Sequence, residues 1–368
     1  MFNKLIIYFK NLDWLMFTSI LLLACFGLAE IYSVALGRSE LDLLNFKKQV
    51  IFIIIGVILF FSLALFDYHT LRSYSKYFFL FGIVILVGVL FFGQTIRGTK
   101  GWFDLGWFNL QPVELIKFIL VLFLAKYFSS AGFRAKAFKA LLISGSGTLL
   151  FVLLVLAQPD FGSAFILFLL WLAMIFLVGF DKKYFFVIFL VLTVLFAGSW
   201  YLVLKDYQKQ RINTFLNASY NPLDQGYNVS QAIIAVGAGG IIGRGLGFGS
   251  QSQLKFLPEA QTDFIFAVVA EELGFTGVLL ILLFFGIFFY RALYYLKRIN
   301  NDFGVYFILG ATSLIFIEMF INIGMNLGML PVIGISLPFL SYGGSGLISS
   351  MMLIGVMESI VIRSKINY

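Results

Sequence analysis

The chain has 368 residues, of which 61% are hydrophobic and only 12% charged, and its mean hydropathy is +0.99. Soluble domains carry roughly a quarter charged residues, so this composition excludes a water-soluble fold and predicts an all-α polytopic membrane protein. The net charge of +8 is scattered between apolar runs rather than gathered on one face, which argues against nucleic acid as a partner and for anchoring to acidic lipid.

The chain opens with a short basic stretch, Met1 to Lys10, followed by an apolar run that passes Ala29 without a small-residue cleavage signature. The first span is therefore expected to stay as an anchor. Runs long enough to cross a ~30 Å hydrocarbon layer number about ten, near 13–35, 48–66, 75–92, 112–129, 137–157, 161–179, 184–204, 263–296, 304–328 and 338–362. An even number places both termini on one side. With that side cytoplasmic, the inner segments hold most of the Lys and Arg, including Lys182, Lys183, Lys297, Arg298, Arg363 and Lys365. The short outer loops then hold only Arg38, Lys47, Lys48, Arg97 and Lys100, as the positive-inside rule requires.

Between the seventh and eighth runs lies segment 205–262, rich in polar residues and Gly, which is expected to fold onto the outer face as a functional loop. No internal repeat or second soluble domain is visible, so residues 1–368 read as one transmembrane domain. Cys25 sits in an apolar run and His69 in a short loop beside Asp67 and Arg72. One cysteine and one histidine supply neither a disulfide nor a thiolate metal site.

Charges inside spans are costly, about 2.5 to 3.5 kcal/mol each at the bilayer centre, and so mark positions with a reason to be there. They are Glu30, Glu114, Lys117, Asp160, Asp263, Glu271, Glu272, Glu318 and Glu358. Glu114 and Lys117 in QPVELIK stand three apart, share a helix face and can pair, and Pro112 suits that helix's first turn. Asp160 in LAQPDFGSA can cap the sixth helix, line a cavity, or do both. Asp263, after Thr262 at the opening of the eighth span, is either an N-cap or a carboxylate able to take a proton from a hydroxyl; the residues alone favour the cap. Glu271 and Glu272 read as interhelical hydrogen-bond partners deeper in that span. Arg97, Lys100, Lys209, Arg211, Arg244 and Lys255 lie in the outer loops, where cations suit an anionic headgroup such as a pyrophosphate, or are ordinary surface charge. GQTIRGTK lacks the Gly-Lys-Ser/Thr order of a P-loop, and Gly243 to Gly249 lacks GxGxxG spacing, so neither binds a nucleotide.

Six stretches, in this order, resemble the SEDS family of bacterial cell-shape, division and sporulation membrane proteins. They are GWFDLGWFNLQPVELIKF, QPDFGSA, QKQRINTFLN, GYNVSQAIIAVGAGG, QSQLKFLPEAQTDFIFAVVAEELGF and NIGMNLGMLPVIGISLPFLSYGGSG. YQKQRI, GYNVSQ and SQSQLKFLPE look more like the elongation members than the division members, while Ala260 leans the other way. Gln261 departs from the family, which usually has a histidine there, and this puts in doubt any role of that histidine in positioning substrate or ion.

The resemblance implies a peptidoglycan glycosyltransferase of the cytoplasmic membrane that polymerises lipid II with inversion, beside a class B penicillin-binding protein that crosslinks the product. It implies that Asp263 is the catalytic carboxylate and that Arg211 and Arg244, with Arg97 and Lys100, bind the pyrophosphate, helped by a divalent cation such as Mg2+ or Mn2+. It further implies that Glu114, Lys117, Asp160, Ser341 and Tyr342 line the cavity, while grooves between helices hold undecaprenyl tails. A lipid II flippase, a division-type polymerase and a membrane scaffold are the competing expectations.

Overall fold

The computed structural model describes residues 2–37, 43–96, 98–130, 137–202 and 225–366. Among them an amphipathic helix α1 (Phe2–Asn11) precedes the long helices α2 (Trp14–Leu36), α3 (Leu44–Leu65), α4 (Tyr68–Phe92) and α5 (Pro112–Phe128). After these come α6 (Ala137–Leu156), α7 (Phe161–Val178), α8 (Lys182–Leu202), α9 (Gln225–Gly239) and the short α10 (Ser250–Gln253). The chain closes with α11 (Ile265–Leu296), α12 (Asp302–Asn326) and α13 (Gly344–Ile366). Eight of these helices are long and apolar enough to span a membrane. With α5, of 17 residues, and α8, of 21, they account for the ten expected runs. The protein is thus a multi-pass membrane protein.

Helix starts fall where short polar side chains can take the orphan N–H groups of a first turn. Asp13 accepts from Leu15 and Met16, Asp67 from His69, Asp160 from Ser163, and Asn301 from Phe303. The third expected span therefore begins seven residues early, and His69 belongs to the first turn of α4 rather than to a loop. Helices α5 and α13 carry the most buried faces and form the centre of the bundle. Small residues let them approach their neighbours: a Cβ on Gly355 would lie 2.7 Å from the Phe60 carbonyl oxygen of α3. Both described ends of the chain meet at one end of the bundle, where Lys365 Nζ donates to the Asn11 carbonyl at 2.7 Å and Arg291 pairs with Asp13 at 2.7 Å.

The opposite end departs from simple spans in three ways. Residues 94–110 form a three-stranded antiparallel sheet, β1 (Gln94–Ile96), β2 (Thr99–Asp104) and β3 (Asn109–Leu110). It is pinned to the α6–α7 turn by the Lys100 amide on the Gln158 carbonyl, 3.2 Å. Hydropathy windows do not register strands this short.

The second departure is in α11, which breaks at Gly274, with φ 66° and ψ −161°. The glycine-rich stretch after α9 plugs this break. Arg244 and Gly245 amides donate to the Glu271 and Glu272 carbonyls, and Phe275 and Thr276 amides donate to the Gly240 and Ile241 carbonyls. Segment 225–262 is therefore a helix and a plug packed against α11, not a free loop.

Third, α13 starts at Gly344 rather than near 338, so residues 327–343 are non-helical. They nonetheless run deep: a Cβ on Gly344 would meet the Phe52 ring, eight residues or about 12 Å along α3 from Leu44. Irregular backbone at that depth is tolerated only where protein or a polar cavity satisfies it.

Gly274 occupies a backbone region essentially closed to L side chains, and an added Cβ would collide with the Gly243 amide. Gly274→Ala is expected to cost at least ~1–3 kcal/mol, read as a lower thermal midpoint in detergent.

Candidate active site

The non-helical segment 327–343 is held by side chains of α3 and α12 and by the backbone of the turn before α11. Gln49 of α3 donates to the Ser341 carbonyl at 3.2 Å and accepts from the Gly343 amide at 3.3 Å. Ser341 Oγ donates to the Thr262 carbonyl at 2.7 Å and accepts from the Leu337 amide at 2.8 Å. The Tyr342 amide donates to the Gln261 carbonyl at 2.8 Å. Gln261, buried, donates to the Ile31 carbonyl of α2 at 3.4 Å and accepts from Asn45 of α3 at 2.7 Å. The glutamine is thus a structural joint between two helices.

Asp263 sits in the turn this network supports, half-buried and one residue before the helix cap, which is Phe264. The expected N-cap role of Asp263 gives way to a cap from another helix: Asn326 of α12 accepts the Ala267 amide at 3.1 Å. Asn322 and Asn326 both donate to the Asp263 carbonyl, each at 3.0 Å. The carboxylate borders Gly334, with Oδ2 3.7 Å from where a Cβ would stand on that glycine.

Two residues further along the same segment, Ser336 faces a second acidic cluster. A Cβ on Gly346 would lie 3.5 Å from Glu114 Oε2 and 3.8 Å from Ser336 Oγ. Glu114 pairs with Lys117 at 2.8 Å, as their spacing predicts, and Lys117 also reaches Glu318 of α12 at 2.6 Å. Ser349 anchors the Glu114 carbonyl at 2.6 Å. Asp160 caps α7 through Ser163, with backbone and hydroxyl contacts of 3.0 and 2.8 Å, and takes a 3.5 Å contact from Gln111. The Gln111 amide in turn donates to Ser345 at 3.0 Å. Segment 334–346 therefore joins the Asp263 turn to Glu114, Lys117, Glu318 and Asp160 in one recessed polar wall. Asn322, Asn326 and Gln49 carry this arrangement without having been singled out, while Glu318 was marked only as a charge inside a span; amides at i and i+4 inside an apolar span were the available signal for the two asparagines.

Arg244 is exposed on the plug, donating to Ser250 Oγ at 2.8 Å and the Ala238 carbonyl at 3.4 Å. Glu271 accepts the Gln251 and Ser252 amides at 2.8 and 3.1 Å. Glu272 accepts Gly247 and Gln253 at 3.0 and 3.1 Å and also bonds Ser33. These acids serve as interhelical acceptors, as expected. Lys100 lies in β2, while Arg97 and Arg211 lie outside the described residues. No group of three or more His, Cys, Asp or Glu side chains among the described residues is placed to hold a metal.

Fold and site together define a polytopic helical membrane protein with a half-buried carboxylate on a hydrogen-bonded turn at one end of its bundle. The family model for cell cycle proteins of the FtsW, RodA and SpoVE type matches residues 13–366. The chain belongs to that family. It is 34% identical over 353 residues to the peptidoglycan glycosyltransferase MrdB of Escherichia coli K12, covering 95% of this chain and 93% of that one. It is 37% identical over 361 residues to stage V sporulation protein E of Bacillus subtilis, covering 95% and 96%. Among solved structures, it matches a chain of a peptidoglycan synthase complex that coordinates polymerisation and crosslinking, with TM-score 0.79 and 26% identity over 97% and 98% of the two chains. The rod shape determining protein RodA of Thermus thermophilus matches with TM-score 0.69 and 25% identity over the same shares.

Removing one member of a buried ion cluster strands the others. Lys117→Met, which leaves Glu114 and Glu318 facing each other, is expected to lose about 3–5 kcal/mol of stability, measured by thermal unfolding in detergent.

Proposed function

We propose that this chain polymerises lipid II into glycan strands at the outer face of the bacterial cytoplasmic membrane, in cell elongation and shape, with Asp263 as the general base. It is a peptidoglycan glycosyltransferase, the activity carried in the names of its MrdB and RodA relatives. The observation that supports the role of Asp263 is its placement: a half-buried carboxylate on a backbone turn anchored by two amides, beside Gly334.

In this reading the GlcNAc 4-hydroxyl of one lipid II gives its proton to Asp263 as its oxygen bonds to the MurNAc anomeric carbon of a second. The bond from that carbon to the pyrophosphate oxygen breaks, the leaving undecaprenyl pyrophosphate takes the electron pair, and the anomeric configuration inverts. Arg211, Arg244, Arg97 and Lys100 offset the charge growing on the pyrophosphate. The donor set of the described residues does not fit a resident metal, so no step is assigned to one. A divalent cation carried by the pyrophosphate is a separate proposal, tested by the sensitivity of polymerisation to EDTA.

A class B penicillin-binding protein is the proposed partner, supported by the likeness to a chain of the synthase complex. Cytoplasmic termini are supported by Lys365, Arg291 and Arg363 gathering at the end of the bundle where the chain begins and ends. Elongation rather than division rests on YQKQRI, GYNVSQ and SQSQLKFLPE.

Polymerisation of labelled lipid II in detergent, with the partner present, tests the reaction and separates it from flipping, which needs two leaflets. Asp263→Asn keeps size and removes the negative charge. A fall in turnover of about 100-fold or more is expected from losing a general base; wild-type polymer yield from this variant would exclude Asp263 as the base.

A further inference from the structure

Two side chains that no step of the reaction uses are fully buried and point at the backbone of the reacting residue. Asn322 and Asn326 stand one turn apart on α12, so both face the Asp263 turn. Their amide nitrogens share the Asp263 carbonyl oxygen at 3.0 Å each, filling both of its lone pairs. Asn326 Oδ1 also takes the Ala267 amide at 3.1 Å, an N–H of the first turn of α11 that has no partner within that helix. Asn322 Nδ2 also holds the Ile335 carbonyl at 2.7 Å, next to Gly334, whose φ of 73° brings its backbone beside Asp263 Oδ2.

We infer that Asn322 and Asn326 are positioning residues for catalysis. They fix the Asp263 carbonyl, and with it the Cα–Cβ direction of the base, against both the α11 helix start and the wall of segment 334–346. This rests on Asp263 being the base. With the carbonyl held twice, only two side-chain torsions are left to the carboxylate. Asn322 sets the spacing between that carboxylate and the wall across from it, because one nitrogen bonds both backbones. The amide is the required chemistry, since it supplies donor and acceptor without charge; aspartate keeps the acceptor and loses the donor, and leucine has neither. Shifts of about 1 Å in a reacting group can cost on the order of 100-fold in rate, so a turn released from both donors loses turnover without losing substrate.

The test is steady-state polymerisation of labelled lipid II by the full-length protein with its transpeptidase partner, comparing wild type, Asn322→Asp, Asn326→Asp and Asp263→Asn. The two asparagine variants are expected to lose at least 10-fold in kcat with KM within threefold. The added carboxylate beside the turn should also move the acid limb of the kcat–pH profile to higher pH if ionisation of Asp263 sets that limb, while the loss in kcat at unchanged KM is the readout that separates positioning from a merely structural role. Should either variant fail to give monodisperse protein, Asn322→Ser and Asn326→Ser, which keep a shorter donor and acceptor, are read in the same way with at least a threefold loss in kcat. If Asp263→Asn is inactive while the asparagine variants keep wild-type kcat, or change KM alone, the positioning role is overturned. If Asp263→Asn polymerises normally, the reading of Asp263 as the base falls first.

Discussion

Backbone groups inside a membrane have no water to turn to, so every interruption of a helix at depth must be satisfied by the protein itself. This bundle interrupts its helices twice near one end, at Gly274 and along residues 327–343, and both gaps are closed by hydrogen bonds from other elements. At Gly274 the closure is backbone to backbone, through a glycine-rich plug narrow enough to enter the gap. Along 327–343 it is made by amide and hydroxyl side chains, Gln49, Asn322, Ser341 and the Gln261 turn. What would be a defect in a lipid-facing helix becomes a fixed polar stretch of backbone.

Polar partners explain why charge is tolerated there. Lys117 is neutralised by Glu114 and Glu318, Asp160 is spent on a helix start, and Glu271 and Glu272 accept from the plug. Each of these carboxylates has a structural bond to make. At Asp263 two asparagines hold the main chain, and the carboxylate lies beside a glycine. A rigid backbone under a charged group is the arrangement expected of a base that must meet a hydroxyl in one orientation. The Gln261 amide likewise joins Ile31 to Asn45, a bridging role in which a neutral donor and acceptor suffice.

Much of this was legible in the residues. Long apolar runs marked ten helices, the i, i+3 spacing of Glu114 and Lys117 forecast their pair, and Asp160 after Pro159 forecast a cap. The remainder depended on distance in the chain or on conformations that hydropathy does not register. Glu318 joins Lys117 from 201 positions away. Segment 338–343 is apolar enough to read as the start of a helix, yet it carries no intrahelical ladder, and Pro338 with Gly343 and Gly344 was the warning. Gly274, one of three glycines in the apolar run after Glu272, gave no hint that α11 breaks there. Asn326 as a cap supplied from another helix is invisible to any local pattern, and it displaced the cap expected of Asp263.

The central claim is that the Asp263 turn opens to the extracytoplasmic side. Cys25 is the single cysteine, so Asp263→Cys in a Cys25→Ser background places one thiol at the site. A membrane-impermeant maleimide applied to intact spheroplasts should label position 263 as fully as after permeabilisation. Labelling that appears only in inverted vesicles, or only once the protein is denatured, would contradict the placement of the base outside the membrane.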